Sequence, residues 1–185
     1  MSTIAQSKIL IMATDGFEQS ELLVPNDKLR QHHATVHIAS PDGTAIRGWD
    51  ENDWGTSVNA DLAIADVDVA QYAALILPGG QINPDTLRGN KEAVDLIRAF
   101  ARAGKLIAAI CHAPWLIIEA GLAEGRTMTS FSSIRTDLKN AGAQVVDREV
   151  AVDRGIITAR SPADLDAFVD AIVDAIEGTQ TQAAA

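Results

Sequence analysis

Short, continuous apolar runs recur along the first two thirds of the chain. They cover residues 8–14, 35–39, 73–77 and 106–110, and each ends abruptly at turn-forming residues or at Cys111. Runs of this length that contain β-branched residues and lack a helical period predict buried strands. Because both faces of each run are apolar, the runs suit a parallel sheet that is covered on both sides.

Segments with helical spacing separate these runs. Helices are predicted at residues 19–31, 90–103, 112–120, 132–140 and 162–176. Because proline is tolerated in a first turn, Pro25 indicates that the regular part of the first helix begins near Val24. Gly104 is expected to end the second helix, and Ser161 is expected to N-cap the last one.

The remaining segments predict smaller elements. Residues 45–66 alternate irregularly and fit a β-excursion at a sheet edge, while residues 83–85 open a short turn or helix. Residues 127–130 predict a short strand, and residues 145–152 and 155–159 predict two strands that pair with each other.

The alternation of strands and helices predicts an α/β fold with a mostly parallel central sheet. No repeat or long linker divides the chain, so we expect one domain over residues 1–178 and a disordered tail over residues 179–185. Ligands of such sheets bind beyond the carboxyl ends of the strands. Three polar segments follow strands in this way, at residues 15–18, 79–85 and 111–112.

Composition narrows the class of partner. The 185 residues are 47% hydrophobic and 22% charged, which is ordinary for a globular protein, and aliphatic side chains must fill the core because only 4% are aromatic. The formal net charge is −10. We therefore expect neither nucleic acid nor an anionic membrane as a partner, because phosphate binding requires clustered lysine and arginine.

A single cysteine, Cys111, excludes an intramolecular disulfide and a metal site of several cysteines within one chain. We predict no metal and no cofactor. The first eight residues lack the pattern of a signal peptide, and no apolar run approaches the ~18 residues of a membrane helix. A cytoplasmic location is the expectation.

Cys111 lies between a predicted buried strand and a predicted helix, as a nucleophile does on a nucleophile elbow. The N-terminus of a helix favours a thiolate, and free N–H groups beside it can bind a developing oxyanion. The pKa of a cysteine in such surroundings falls from about 8.5 to roughly 3.5–7.5. A buried, unreactive cysteine is the alternative that the position alone leaves open.

The other polar segments add candidate side chains. Glu18 follows the first strand, and as a carboxyl pressed against Cys111 it could donate a hydrogen bond to the thiolate. Its alternative role is that of an acid near a helix start, and Glu21 is a nearby competitor for either role. His112 follows Cys111 directly, and it supplies either a second catalytic group or only its backbone N–H.

Two further positions follow the third strand. Gly79 and Gly80 predict a turn with positive φ, whose backbone N–H could face a substrate oxygen. Asp85 lies five residues beyond Gly80, and on its own it is explained as a carboxylate at a turn or a helix start.

Taken in order, these motifs resemble the PfpI-like branch of the ThiJ/PfpI superfamily. The resemblance rests on Asp15-Gly-Phe-Glu18, on Leu77-Pro-Gly-Gly80 and on Ala109-Ile-Cys-His112, and it runs from about residue 8 to residue 176. It implies a flavodoxin-like three-layer sandwich related to the class I glutamine amidotransferase domains.

The resemblance also implies roles for single residues. Cys111 would be the nucleophile and Glu18 its hydrogen-bonding acid, while the backbones of Gly80 and His112 would form the oxyanion hole. Asp85 matches a position where relatives carry an acid that reaches the histidine of a neighbouring subunit. The site would then be complete only in a homo-oligomer, a dimer or a hexamer.

Two positions depart from the pattern of the family. Ala113 replaces the glycine of the usual Cys-His-Gly-Pro, which costs on the order of 1 kcal/mol if the position needs positive φ and nothing if it is helical. Asp85 replaces the usual Glu and shortens the reach toward His112 by one methylene.

Three functions fit these residues. The first is a stress-related cysteine-dependent enzyme that acts on reactive carbonyls or glycated adducts, as a deglycase or a glutathione-independent glyoxalase. The second is an intracellular peptidase with a Cys111–His112–Asp85 triad shared across subunits and a peptide or protein substrate. The third is a redox sensor or chaperone that uses oxidation of Cys111 and catalyses no reaction.

Overall fold

The computed structural model describes residues 3–182. The strands are β1 (Lys8–Met12), β2 (Phe17–Glu18), β3 (Thr35–Ser40), β4 (Ile46–Asp50), β5 (Asp53–Val58), β6 (Leu62–Ala63), β7 (Ala74–Leu77), β8 (Leu106–Ile110), β9 (Thr127–Met128), β10 (Gln144–Val145), β11 (Val150–Asp153) and β12 (Ile156–Ala159). The helices are α1 (Gln19–Gln31), α2 (Ile82–Arg88), α3 (Lys91–Arg102), α4 (Pro114–Glu119), α5 (Arg135–Asn140) and α6 (Leu165–Gln182).

Seven strands form the central sheet, in the order β11-β12-β8-β7-β1-β3-β6. Every neighbouring pair is parallel except β11 with β12. The four apolar runs of the sequence therefore occupy adjacent places in the centre of the sheet as β3, β1, β7 and β8. The predicted α/β fold with a mostly parallel sheet is confirmed.

Side chains of the central strands alternate between two hydrophobic layers, as the two-residue period of a strand requires. In β1, Ile9 and Ile11 face the layer that α1 and α6 cover, whereas Leu10 and Met12 face the layer formed with α3 and α4. All four side chains are fully buried. Helices on both faces give the expected flavodoxin-like three-layer sandwich.

The segment expected as an excursion at the sheet edge has a different arrangement. Strands β4 and β5 form an antiparallel hairpin, and β4 also pairs in parallel with β2, so a separate three-stranded sheet results. Only β6 joins the edge of the central sheet. This small sheet follows β1 directly, so the hairpin lies near the carboxyl edge of the central sheet.

The predicted bounds of the first helix are confirmed, since α1 spans Gln19–Gln31. The helix is already regular from Gln19 rather than from near Val24, and Pro25 lies in its second turn. Proline has no N–H, so the carbonyl of Glu21 lacks its usual partner four residues later. The first turn nevertheless buries Glu21 and Leu22 against the sheet, and tertiary packing therefore outweighs the missing hydrogen bond.

The C-terminal third contains two further corrections. Residues 145–152 do not form one strand, because β10 pairs with β9 whereas β11 pairs with β12. Ser161 makes no side-chain cap, because a 3-10 turn at Pro162–Asp164 precedes α6. The predicted tail overlaps the end of α6, and residues 183–185 lie outside the described residues. No helix in the described part of the chain is long and apolar enough to cross a membrane.

Candidate active site

Six segments enclose a cavity of about 350 Å³ at the carboxyl edge of β1, β7 and β8. They are the turn after β1 with the start of α1, the β4–β5 hairpin, the turn after β7, and the segments after β8, β9 and β12. The cavity is lined by Gly16, Glu18, Glu21, Trp49, Glu51, Gly80, Gln81, Ile82, Cys111, His112, Phe131 and Pro162. It therefore lies beyond the strand ends, where the sequence predicts that a ligand binds.

Cys111 lies on the floor of this cavity, directly after β8, and only 6% of its surface is exposed. Its φ of 63° is in the left-handed region, which is strained for a residue with a side chain. Two backbone hydrogen bonds hold the turn, from Cys111 N–H to the Ala159 carbonyl at 3.0 Å and from Phe131 N–H to the Cys111 carbonyl at 2.9 Å. The geometry is that of a nucleophile elbow.

The helix after the cysteine is shorter than predicted. It begins at Pro114, three residues after Cys111, and has six residues. Its partial charge therefore acts weakly at the sulfur, since the dipole effect falls off within the first turn. Ala113 is helical, with a φ of −60°, so the alanine at this position costs nothing.

Glu21 is the buried acid beside the cysteine. Its side chain is fully buried, and its Oε2 accepts a hydrogen bond of 2.8 Å from the Gly79 N–H. Its Oε1 is buried without a hydrogen-bond partner of normal geometry, and the carboxyl interacts with the Cys111 thiol. A proton on this carboxyl would be placed to stabilise a thiolate.

Burial controls the protonation of this pair. It raises the pKa of Glu21 to about 8, and the Gly79 N–H opposes that shift only in part. Burial also raises the pKa of the Cys111 thiol, and negative charge on Glu21 raises it further. Backbone N–H groups of Gly80 and His112 lower the thiol pKa because they hydrogen-bond the sulfur. At neutral pH Glu21 is protonated, so its repulsion of the thiolate is absent.

Glu18 does not have the predicted contact with the thiol. It is the last residue of β2 and lies on the cavity wall, half-buried, with Oε1 accepting a hydrogen bond of 3.4 Å from the Ser20 hydroxyl. Burial raises its pKa, and the charges of Asp50 and Glu51 add to that shift. The expectation that Glu18 is the acid beside the sulfur is wrong, because α1 turns Glu21 toward the sheet instead.

His112 is held on both of its ring nitrogens. Nδ1 lies 3.1 Å from Cys111 Sγ, and Nε2 lies 3.1 Å from the Ser133 hydroxyl. The ring stacks on Phe131 with a centroid separation of 4.7 Å and meets the edge of Trp115 at 5.4 Å. Burial lowers the pKa of His112, so the imidazole is neutral at pH 7. A neutral ring in contact with the thiol can accept its proton.

The turn after β7 is shaped by close contacts. A Cβ on Gly79 would lie 2.6 Å from Glu21 Oε2 and 2.8 Å from Cys111 Cβ, so no side chain fits. Gly80 has the predicted positive φ, 78°, and a Cβ there would lie 2.6 Å from the Gly16 carbonyl oxygen. Its backbone N–H lowers the pKa of the Cys111 thiol, and the role of this N–H in an oxyanion hole stays a prediction.

Asp85 lies apart from these groups within the chain. It is exposed in the first turn of α2 and makes no contact with His112 among the described residues. The expected contact is between two copies of the chain, and it stays a prediction. No group of three or more potential metal ligands occurs in the described residues.

Sequence reasoning does not single out three of the lining residues and one of their neighbours. Trp49 and Glu51 come from the β4–β5 hairpin, which the sequence places at a sheet edge, and Phe131 follows β9. Ser133 does not line the cavity, but its hydroxyl contacts His112, which does. No motif in the sequence marks these four positions, because each depends on how distant segments fold together.

Known proteins share this architecture and much of this sequence. The DJ-1/PfpI family matches residues 7–175. A deglycase of Thermococcus kodakarensis is 41% identical over 162 residues, which are 88% of this chain and 95% of the relative. Protein/nucleic acid deglycase 2 of Escherichia coli is 41% identical over 163 residues, which are 87% of this chain and 92% of the relative.

A solved structure agrees with the fold. The crystal structure of DJ-1beta from Drosophila melanogaster superposes with a TM-score of 0.85 at 29% identity, covering 96% of this chain and 92% of that one. The cysteine elbow, the enclosing strand ends and the extent of these matches lead to one conclusion. The chain belongs to the DJ-1/PfpI family.

Proposed function

We propose that this protein is a cysteine-dependent enzyme that acts on reactive carbonyls or on their glycated adducts, as a deglycase or a glutathione-independent glyoxalase. The observation that carries the proposal is the fully buried Glu21 carboxyl, which lines the same cavity as the only thiol of the chain, Cys111, on its turn with a φ of 63°. The deglycase names of the relatives that are 41% identical support the same reaction class.

The first step is addition of Cys111 Sγ to the aldehyde carbon. His112 Nδ1 accepts the thiol proton as the S–C bond forms. The carbonyl π electrons move to oxygen, where the N–H groups of Gly80 and His112 stabilise the negative charge until it takes a proton. If the substrate is an amine adduct, the amine leaves from the same carbon with a proton.

The second step converts the hemithioacetal into an acid. For a methylglyoxal-derived group, the proton on the sulfur-bearing carbon moves to the neighbouring carbonyl carbon through an enediol, and a lactoyl thioester results. Water then cleaves the thioester, which releases lactate and restores the thiol. The sum is addition of one water to methylglyoxal, so no external oxidant or reductant is consumed.

The test is lactate release from methylglyoxal and from its adducts on amines, without glutathione or metal. Wild type should form lactate, Cys111→Ser should be inert, and Glu21→Gln should lose at least about tenfold in kcat/KM. Glu18→Gln is the matched control, since this acid lies in the same cavity without touching the thiol. Wild type that forms no more lactate than Cys111→Ser would refute the proposal.

A peptidase is the second candidate, and the 3.1 Å contact between Cys111 Sγ and His112 Nδ1 is the observation that favours it. Acyl transfer by such a pair requires a third group on the histidine, which the sequence predicts to be Asp85 of a second copy. Release of peptides that depends on Cys111 and is lost in Asp85→Ala would establish this function instead.

We also propose that the protein forms a homo-oligomer, a dimer or a hexamer, as the resemblance implies. Light scattering coupled to gel filtration measures the mass directly, and a monomer at every concentration would contradict the proposal. The cytoplasmic location stays a prediction from the sequence.

A further inference from the structure

The second nitrogen of His112 already has a partner within the same chain. Nε2 lies 3.1 Å from the Ser133 hydroxyl, while Nδ1 lies 3.1 Å from Cys111 Sγ. The three side chains therefore form a continuous series of contacts from the sulfur, across the ring, to the hydroxyl. Nothing in this series requires a second copy of the chain.

The segment that carries Ser133 is fastened to the cysteine turn at separate points. Phe131 N–H donates to the Cys111 carbonyl, and the Phe131 ring stacks on His112 at an interplanar angle of 26°. A 3-10 turn follows at Ser132–Ile134, closed by a 3.2 Å hydrogen bond from Ile134 N–H to the Phe131 carbonyl. The backbone that holds Cys111 in place thus also determines where the Ser133 hydroxyl lies.

We propose that Ser133 is a positioning residue, which acts through His112 and completes a Cys111–His112–Ser133 series inside one chain. Its hydroxyl fixes the plane and the tautomer of the imidazole so that Nδ1 faces the sulfur. Ser133 then has the role that the sequence assigns to Asp85 of a neighbouring subunit. This inference deepens the proposed function, but its test measures the Cys111–His112 pair directly and does not depend on turnover of a carbonyl substrate.

The chemistry of a hydroxyl partner differs from that of a carboxylate. In the proposed series the Ser133 oxygen accepts a hydrogen bond from Nε2–H, which leaves Nδ1 without a proton and able to take the proton of the thiol. When Nδ1 takes the thiol proton, the ring carries two protons, and the Nε2–H bonds to the Ser133 oxygen without transferring its proton. A carboxylate would instead stabilise the charged ring at rest. Burial lowers the pKa of His112 and so disfavours the charged ring, which fits a hydroxyl partner.

The test compares Ser133→Ala with Ser133→Thr, Ser132→Ala and Asp85→Ala in the full-length protein. The first readout is the rate at which iodoacetamide alkylates Cys111 as a function of pH. Loss of one hydrogen bond should lower the rate near pH 7 by about tenfold in Ser133→Ala. Ser133→Thr keeps the hydroxyl and should stay near wild type. Ser132→Ala removes the neighbouring hydroxyl, and it should change the rate by less than about twofold, as should Asp85→Ala.

The second readout is the ¹⁵N spectrum of the His112 ring, which reports its tautomer and its titration. Wild type should show a neutral ring at pH 7, and Ser133→Ala should titrate at lower pH because the charged ring loses its acceptor at Nε2. A wild-type spectrum of a charged ring would contradict the proposal even if no variant folded.

Other outcomes would overturn the inference as well. They are an alkylation profile of Ser133→Ala equal to that of Ser132→Ala, or a loss in Asp85→Ala with none in Ser133→Ala. Neither readout requires carbonyl turnover. If Ser133→Ala shifts the alkylation profile while the wild-type protein forms no lactate, the proposed function is refuted and the role of Ser133 stands.

Discussion

At the scale of single residues, the site depends on Gly79, which has no side chain and so lets the Glu21 carboxyl, the Ile110 carbonyl and Cys111 lie close together. Gly79 donates its N–H to Glu21 Oε2, and its Cα lies where any Cβ would be 2.7 Å from the Ile110 carbonyl oxygen and 2.8 Å from Cys111 Cβ. The missing side chain lets the acid and the thiol approach each other in a buried environment. Their proton affinities therefore follow from packing rather than from nearby cations.

Glu21 makes the stability of the protein depend on pH. Its pKa is about 8 in the folded protein, whereas the ordinary value for an exposed glutamate is 4.5, so the folded state binds this proton more tightly than the unfolded chain does. Its contribution to the free energy of unfolding is complete below about pH 4.5 and is lost as the pH rises toward about 8. Glu21→Gln cannot ionise and should escape this loss.

Urea unfolding at pH 5 and pH 9 measures the difference. The free energy of unfolding of Glu21→Gln relative to wild type should rise between these values by on the order of 3 kcal/mol. Glu18→Gln should show a much smaller rise, because Glu18 is partly exposed. A difference for Glu21→Gln that does not vary with pH would mean that Glu21 is ionised in the folded protein.

Gly79→Ala should damage both the fold and the site. The new methyl group overlaps the Glu21 carboxylate and Cys111, so we expect a loss of about 1–3 kcal/mol and slower alkylation of the thiol. Gly89→Ala is the control, since a Cβ there meets only the Thr86 carbonyl oxygen at 3.5 Å. Equal melting temperatures for the two variants would show that the turn has room to relax.

Sequence reasoning locates the cysteine but selects the wrong acid. It favours Glu18 because this residue follows the first apolar run, where a family motif ends. The signal for Glu21 lies in the helix itself: Glu21, Leu22, Pro25 and Leu29 are the buried positions of α1. Spacings of three, four and eight residues place them on one stripe, and an acid on an apolar stripe is directed into the core.

At the scale of secondary elements, the β4–β5 hairpin contributes one wall of the cavity. Trp49 lies in β4 and lines the cavity, whereas Trp54 in β5 packs edge-to-face on it at 5.6 Å and does not line the cavity. Trp49 Nε1 also donates to the Glu51 carbonyl at 3.0 Å, which holds the tip of the hairpin. The hairpin therefore presents an aromatic surface to whatever extends from the reactive carbon.

Trp49→Ala should weaken binding of bulky substrates rather than slow the chemistry. We expect KM for a peptide-linked carbonyl adduct to rise by about fivefold, with kcat changed less, because the lost contact is equal in the ground and transition states. Trp54→Ala should leave KM nearly unchanged. Steady-state kinetics of the two variants decide the matter, and a fall in kcat at constant KM would assign Trp49 to the reaction itself.

The elements that can be predicted from the sequence are those that long, uniform patterns define. The central strands and α3 agree with the prediction within two residues. Their apolar patterns require burial whichever elements pack against them. The hairpin and the β9–β10 pair escape prediction because two-residue strands and exposed ribbons carry no period of their own. Their pairing is decided by segments that are distant in the sequence.

At the scale of the whole molecule, six segments from across the chain together line one cavity. The thiol, its acid, its imidazole and the hydroxyl behind the imidazole all come from one copy of the chain. Under the role proposed for Ser133, an assembly of several copies would add walls or stability and would not be needed to complete the reactive series of side chains.

Dilution tests this view directly. Specific activity and the rate of Cys111 alkylation should stay constant from micromolar to nanomolar protein, even if the mass of the oligomer falls over that range. If residues of a neighbouring copy complete the site, both quantities should instead decline together as the oligomer dissociates.

The position of Cys111 has a practical consequence for the study of this protein. The chain has no other cysteine, and this one is strained and nearly enclosed at the bottom of the cavity. A thiol-specific reagent therefore acts as an active-site titrant. The labelling phase that the unfolded chain does not show counts the molecules whose turn is correctly formed, and any shortfall from one thiol per chain in denaturant counts the oxidised or blocked sites. The fraction of competent enzyme in a preparation thus becomes measurable before any substrate is known.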